Sequence, residues 1–336
     1  MKEIENMRYR SLSIIIPNYN GGQLIEKFLP SVIRAAQNYS GEWEIIIVDD
    51  CSVDESAAVI NRFVSTHEAI SFYKQSVNRG FSATCNRGIN HAKGEVLFFL
   101  NNDVALEEDF FGYFNHHFDD SELFGITVRA FAYGTDRQID GIRRASWKRG
   151  HYRITENLFD DFIEMQRLQP PYPSMSVQGA FFFASAEKVR ELGGFDELYS
   201  PFIFEDVDLA YRALKRGWKV IYERRCRAHH QVSVSIKKVS KAYKIKAISI
   251  RNRNIFIWKN IHDRSLILSH MFFLCIYLFS FRRTFYIGLS GALKRLPEIM
   301  RKRKEEKKVS LISDRELMKR FDEYYLLSSI KPLGYV

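Results

Sequence analysis

Short runs of consecutive apolar residues alternate with stretches of helical period along the first hundred positions. Leu12-Ser13-Ile14-Ile15-Ile16-Pro17 is β-branched and closed by a proline, and Glu44-Ile45-Ile46-Ile47-Val48-Asp49 is a second such run. Ile70 to Lys74 and Glu95 to Leu100 supply a third and a fourth. Strands that are apolar at every position fit a sheet covered on both faces, which predicts parallel strands with helical crossovers. The intervening segments predict helices over Gln23 to Asn38, Asp54 to Ser65 (with Asp54 as a cap candidate) and Phe81 to Ala92. The class is therefore α/β. Ligands of open α/β sheets gather at the carboxyl ends of the strands. Here those ends carry Pro17-Asn18-Tyr19-Asn20, Asp49-Asp50 and Asn101-Asn102-Asp103, so the three polar clusters are expected to face one crevice.

The pattern changes downstream. Arg129 to Ser176 is less regular, holds Trp147, several arginines and Pro170-Pro171-Tyr172-Pro173, and reads as a long surface excursion beside the site. Val177 to Ser185 returns to β character, and Val220-Ile221-Tyr222 predicts another strand. Between them Glu205-Asp206-Val207-Asp208 opens a helix in which Val207, Ala210, Tyr211 and Leu214 share a face and Gly217 is the stop. Carboxylates suit a helix N-terminus through the macrodipole, so a charged cap and a general base at a cleft mouth both fit. After about Ser240 the chain becomes helical and basic. Leu266 to Phe281 is its most apolar stretch, shorter than the ~20 residues that span a bilayer. The expected state is an interfacial helix on anionic lipid, ahead of a buried core helix or a span.

Composition narrows the partners. The 336 residues carry a net charge of +10, and much of the excess lies after Arg282, in runs such as Arg301-Lys302-Arg303-Lys304. An anionic partner follows: a membrane surface, a nucleic acid or a phosphorylated substrate. The aromatic-basic sheet motif of nucleic-acid binders is missing, so nucleic acid is set aside. Cys51, Cys85, Cys226 and Cys275 are scattered, which fits a reducing cytoplasm, and Met1 to Arg10 has no apolar signal core. The chain has no G-x-G-x-x-G, P-loop, G-x-S-x-G or H-E-x-x-H motif. A strand-end carboxylate followed by an acidic helix suits divalent-metal chemistry on a phosphate, with Asp103 as the natural ligand.

The order of motifs carries a resemblance. Ser13 to Asn20, Ile47-Val48-Asp49-Asp50-Cys51-Ser52-Val53-Asp54, Asn78-Arg79-Gly80-Phe81 and Phe98-Phe99-Leu100-Asn101-Asn102-Asp103 come first. Gln178-Gly179-Ala180, Gly193-Gly194-Phe195-Asp196 and Glu205-Asp206-Val207-Asp208-Leu209 follow. The series, from about Leu12 to Ser235, resembles family 2 inverting glycosyltransferases, most nearly the rhamnosyltransferase-like enzymes of bacterial cell-surface polysaccharide synthesis. The resemblance implies an A-type glycosyltransferase fold: a Rossmann-like, mostly parallel mixed sheet flanked by helices. The nucleotide-binding half would run over about 11–105 and the acceptor half over about 106–240. A helical, basic, membrane-associating extension would occupy 241–336.

By the same resemblance Pro17, Tyr19, Asn20, Asp49, Asp50, Asn78, Arg79, Gly80 and Asn102 would bind the nucleotide-diphosphate sugar. Asp103, Asn101 and His230 (in preference to His229) would hold Mg²⁺ or Mn²⁺. Asn101 stands where the family has an aspartate, which leaves a single charged ligand in that motif. Asp206 would be the catalytic base, with Glu205, Gly179, Ala180 and Trp147 on the acceptor side and Asp208 a structural neighbour. The expected protein is a transferase peripheral on the cytoplasmic face of the plasma membrane, able to form oligomers. It would take a nucleotide-diphosphate sugar and a saccharide or lipid-linked acceptor. A non-catalytic nucleotide-sugar-binding or scaffold protein on the same fold is the alternative.

Overall fold

The apolar runs form the centre of one mixed sheet. The computed structural model describes residues 8–158, 170–231 and 242–326, and Ser235 and the expected boundary near 240 lie outside them. Strands β1 (Leu12–Asn18), β2 (Trp43–Asp49), β3 (Ile70–Lys74) and β4 (Val96–Leu100) alternate with helices α1 (Gly22–Gln37), α2 (Ser56–Val64) and α3 (Phe81–His91). They pair parallel in the order β4-β1-β2-β3. Strand parity explains the double burial. Ile15, Ile46, Val48, Leu97 and Phe99 face one core, and Ile14, Ile16, Ile45, Ile47 and Phe98 face the other. Asp54 accepts from the Ser56 N–H and from the Gly22 N–H, so it ties the start of α2 to that of α1.

Beyond β4 the sheet turns mixed. After the short β5 (Val104–Leu106) come β6 (Leu123–Ala132) and β7 (Gln138–Asp140), then the hairpin β8 (Ile142–Lys148) and β9 (His151–Leu158). They are followed by β10 (Tyr172–Pro173), β11 (Phe181–Ser185), helix α4 (Ala186–Glu191), helix α5 (Glu205–Lys215) and β12 (Lys219–His230). The order extends to β10-β12-β6-β11-β4, with β11 antiparallel to both neighbours and β12 parallel to β6. The described residues of the excursion over Arg129 to Ser176 are thus largely β structure and not surface loop. In the β8–β9 hairpin Ile142, Ala145 and Tyr152 are buried in the core. Arginines between those positions mask the alternation that would have predicted it.

The C-terminal helices are α6 (Ala242–Asn260), α7 (Arg264–Leu278), α8 (Arg283–Leu293), α9 (Leu296–Val309) and α10 (Asp314–Leu326). They share a core with the acidic helix: Phe256 packs on Tyr152 and Tyr211, and Ile255, Ile261, Ala292, Ile299 and Leu317 are buried in the same cluster. Buried polar ties reinforce the contact. Asp314 accepts from the Tyr211 hydroxyl and from Lys215, and also from the His262 and Asp263 N–H groups. Lys259 bridges Asp196 and Asp208 at 2.6 Å each. Helix α7 buries Leu266, His270 and Leu274 and leaves Leu268, Met271, Phe272 and Ile276 exposed, continuous in sequence with exposed Phe279 and Phe281. Among the described residues no helix is long and apolar enough to cross a membrane.

Candidate active site

The three strand-end clusters meet. Pro17, Asn18 and Tyr19, Asp50, and Asn101 and Asn102 line one cavity of about 910 Å³, together with Asn78, Gly80, Gly179, Ala180, Glu205, Asp206 and His230. Side-chain hydrogen bonds lock the strand ends: Asn102 donates to the Asn18 carbonyl oxygen at 2.7 Å, and Asn18 donates to Asp49 at 2.8 Å. Asp49 is fully buried and also accepts from the Ser52 N–H, so it holds the turn and is not among the lining residues. Asp50 reaches the cavity while accepting from the Arg79 and Gly80 N–H groups and from Gln75. It thereby shapes the Asn78-Arg79-Gly80 loop. Gly80, at φ +87°, lies where a Cβ would stand 2.9 Å from the Pro201 backbone, so only glycine lets this loop meet the segment before α5.

Two other expected residues, Asn20 and Arg79, are exposed and are not among those lining the cavity. Asn20 accepts from the Val53 N–H, and the Arg79 guanidinium pairs with Glu197 at 3.1 Å. Trp147 is not brought to the cavity: its indole donates to Ser269 on α7, where the hairpin packs against the C-terminal helices.

The acidic helix is set by an unusual entry. Ile203 and Phe204 both have positive φ, 76° and 83°. Asn252 of α6, itself buried, holds that segment by donating to the carbonyls of Tyr199, Phe202 and Ile203. Asp206 then points its carboxylate at the cavity wall. Its Oδ2 accepts from the Gly179 N–H at 2.9 Å and its Oδ1 from the Val207 N–H at 2.8 Å. A Cβ on Gly179 would lie 2.9 Å from Oδ2, which explains the glycine. Burial raises the Asp206 pKa, and the Arg143 charge and the two N–H donors only partly counter it. Arg143 is itself paired with buried Asp140. Asp208 is different: Arg212, Tyr199, Asn260 and Lys259 surround it, it is fully buried, and it packs no cavity wall.

Glu205 is nearly buried, and its Oε2 has no hydrogen-bond partner. Burial first, and then the neighbouring Asp206 charge, push its pKa up to about 8. It is therefore mostly protonated at neutral pH. A raised folded-state pKa contributes stability that is fully present below the unfolded value of 4.5 and is lost as pH rises toward 8. Denaturant titrations should show wild-type stability falling across this window relative to Glu205→Gln, which carries no titrating proton there. Parallel curves for the two proteins would contradict the assignment.

Asp103 is buried at the end of β4, and its Oδ1 lies 3.2 Å from Nε2 of His230. Strand β12 pairs with β5 so that His230 is opposite Val104 and faces Asp103, while His229 turns to Glu107 at 3.1 Å. Two ligands bound at ~2.1 Å in adjacent octahedral positions sit about 3 Å apart, so the Asp103–His230 pair fits one divalent ion. A separate trio of His116, His117 and Glu223 also clusters, and none of the three lines the cavity. Arg225 donates to both Glu223 oxygens, and with His117 it overcomes burial to bring that carboxyl to about 2. The charge a cation would need there is already neutralised.

Residues 13–190 of the 336 match the family model described as glycosyl transferase family 2. The chain belongs to this family. Among curated relatives, dolichyl-phosphate beta-glucosyltransferase ALG5C of Trichomonas vaginalis is 27% identical over 139 residues, 40% of this chain and 41% of that protein. The putative teichuronic acid biosynthesis glycosyltransferase TuaG of Bacillus subtilis is 31% identical over 98 residues, 29% and 38% of the two chains. The chain thus spans less than half the length of these relatives. In fold it is similar to GalNAc-T7, solved with UDP, GalNAc and Mn²⁺, with a TM-score of 0.71 at 17% identity over 98% of this chain and 59% of that one. The architecture is that of the A-type glycosyltransferases: a mixed sheet between helices, with a helical C-terminal region.

Sequence reasoning missed Arg143, Tyr152, Arg153 and Arg253, which line the family 2 chain's cavity, and Asn252, which braces its acidic helix. The arginine-rich excursion was the available signal for the first three. Arg253 and Asn252 lie beyond the family motifs and had none.

Proposed function

We propose that the chain is an inverting glycosyltransferase that moves a sugar from a nucleotide-diphosphate donor to a hydroxyl of a saccharide or lipid-linked acceptor in cell-surface polysaccharide synthesis. The observation that carries this reading is Asp206. Its carboxylate is fixed by two backbone N–H groups on the wall of the cavity that the three strand ends also line. An inverting transfer is one in-line displacement. The acceptor oxygen bonds to the anomeric carbon as the bond from that carbon to the diphosphate oxygen breaks, and the hydroxyl proton passes to Asp206. No protein nucleophile is needed.

Asn18, Tyr19, Asp50 and the Asn78 to Gly80 loop would hold the nucleotide, and Glu205 with Ala180 would border the acceptor. Asp103, His230 and Asn101 would hold Mg²⁺ or Mn²⁺, which when bound stabilises charge on the departing diphosphate. The solved relative GalNAc-T7 was captured with UDP and Mn²⁺, which supports a metal and a nucleotide donor. The exposed apolar residues Leu268, Phe272, Phe279 and Phe281, beside exposed Arg282 and Arg283, support peripheral attachment to an anionic leaflet on the cytoplasmic side.

The test is nucleoside diphosphate release from a panel of nucleotide sugars, with Mn²⁺ and saccharide or lipid-linked acceptors, followed by NMR of the new anomeric bond. One donor should give product of inverted configuration. Retained configuration would overturn the single-displacement mechanism, and no turnover with any donor would favour the non-catalytic alternative.

A further inference from the structure

Two cations of the cavity have no anionic partner among the described residues. Arg153 on β9 and Arg253 on α6 both line it, and each has an Nε that is buried and without a hydrogen bond. Their neighbour Arg143 is different, because Asp140 neutralises it. The carboxylates of the cavity wall do not serve them either. Asp50 is occupied by the Arg79 and Gly80 N–H groups and Gln75, and Asp206 by the Gly179 and Val207 N–H groups. Glu205 is held largely neutral at physiological pH. Both guanidinium-bearing side chains line the same cavity, and burial and then the Arg153 charge lower the Arg253 pKa. Two partly buried like charges with buried Nε atoms, facing one cavity, are costly unless an anion joins them.

Position identifies which substrate would bring that anion. The Arg253 guanidinium sits 5.9 Å from the ring centre of Phe204, the residue immediately before Glu205 and Asp206. Tyr152 and Ile154 of β9 and Ser249 of α6 also line the cavity, on the same two elements as the arginines. None of these belongs to the strand ends of β1, β2 and β4, where the nucleotide is placed. A guanidinium donates in a planar fork that matches phosphate oxygens.

We propose that Arg153 and Arg253 form an anion subsite that binds a phosphate of the acceptor. The inference rests on the reading of Asp206 as the base facing the acceptor. It narrows the acceptor to one whose reacting hydroxyl lies close to a phosphate ester. That phosphate can belong to a polyol-phosphate unit or to a lipid phosphate.

Calorimetry on the full chain, saturated with UDP and Mn²⁺ to block the donor site, tests this with glycerol 3-phosphate, decyl phosphate and glycerol. Binding is read without turnover, so an error in the role of Asp206 leaves the result unaffected. At least one phosphate probe should bind and glycerol should not. Glycerol 3-phosphate alone points to the polyol source, and a strong preference for decyl phosphate points to the lipid source. Arg153→Gln and Arg253→Gln should each weaken the phosphate probe about tenfold or more, the scale of one charge-assisted hydrogen bond. UDP affinity should stay within about twofold, which also reports that the variants fold, and Arg253→Lys should retain part of the binding. Equal affinity of wild type and variants for the phosphate probes would overturn the proposal, as would no binding of either probe. Loss of UDP affinity in both Gln variants would assign the arginines to the donor diphosphate instead.

Discussion

Asp206→Asn is expected to lower the rate of sugar transfer by roughly three orders of magnitude, within the range that a positioned general base supplies. The amide keeps the shape of the side chain and can still accept from the Gly179 N–H through its oxygen, so the entry to α5 is preserved. Donor affinity should therefore change little, and the loss should appear in kcat. The pH profile gives an independent check. Burial raises the Asp206 pKa, so the acid limb of the wild-type rate should lie above the ordinary carboxylate range, with activity falling as pH drops and the base takes up a proton. A variant that turns over at the wild-type rate, or a limb at the pH of a solvated aspartate, would remove Asp206 from this role.

Lys259→Met should produce the largest loss of stability. The Lys259 Nζ is buried and touches both Asp196 and Asp208 at 2.6 Å. Burial alone would raise both carboxyl pKa values. Lys259, with Lys302 on Asp196 and Arg212 on Asp208, overcomes it and holds both groups below the usual range. Methionine fills a similar volume and leaves two buried anions short of one cation. Breaking a buried pair from one side costs about 3–5 kcal/mol. Urea unfolding followed by circular dichroism measures this directly. A loss under about 1 kcal/mol would mean that Arg212, Asn260 and Lys302 already satisfy the two carboxylates.

The parallel half of the fold was legible in the sequence because every position of its strands is apolar, and that pattern has few other meanings. The convergence of the three polar clusters followed from topology alone. What escaped was governed by tertiary contact. The β8–β9 hairpin alternates arginines with core residues because one of its faces borders a polar cavity, so its period looked like that of a loop. Trp147 is expected on the acceptor side because the excursion that holds it reads as a loop beside the site, yet its partner Ser269 is 122 residues away. Asp49 and Asp50 read as a matched pair, yet strand parity turns one inward to the turn and the other to the cavity. Asn252 illustrates the limit: its role is to satisfy carbonyls of a segment 49 to 53 residues upstream, and no local pattern announces that.

The choice between His229 and His230 depends on parity. Neighbouring residues of a strand face opposite ways, so the pairing of β12 with β5 turns one histidine to Asp103 and the other to Glu107. Upstream, β12 departs from its register with β6 between Glu223 and Arg227, so spare residues already sit in that stretch. A deletion or duplication of one residue there would exchange the two histidines without altering either. Descendants of this chain could thus keep both residues while swapping their duties, and an alignment that matched histidine to histidine would miss the exchange.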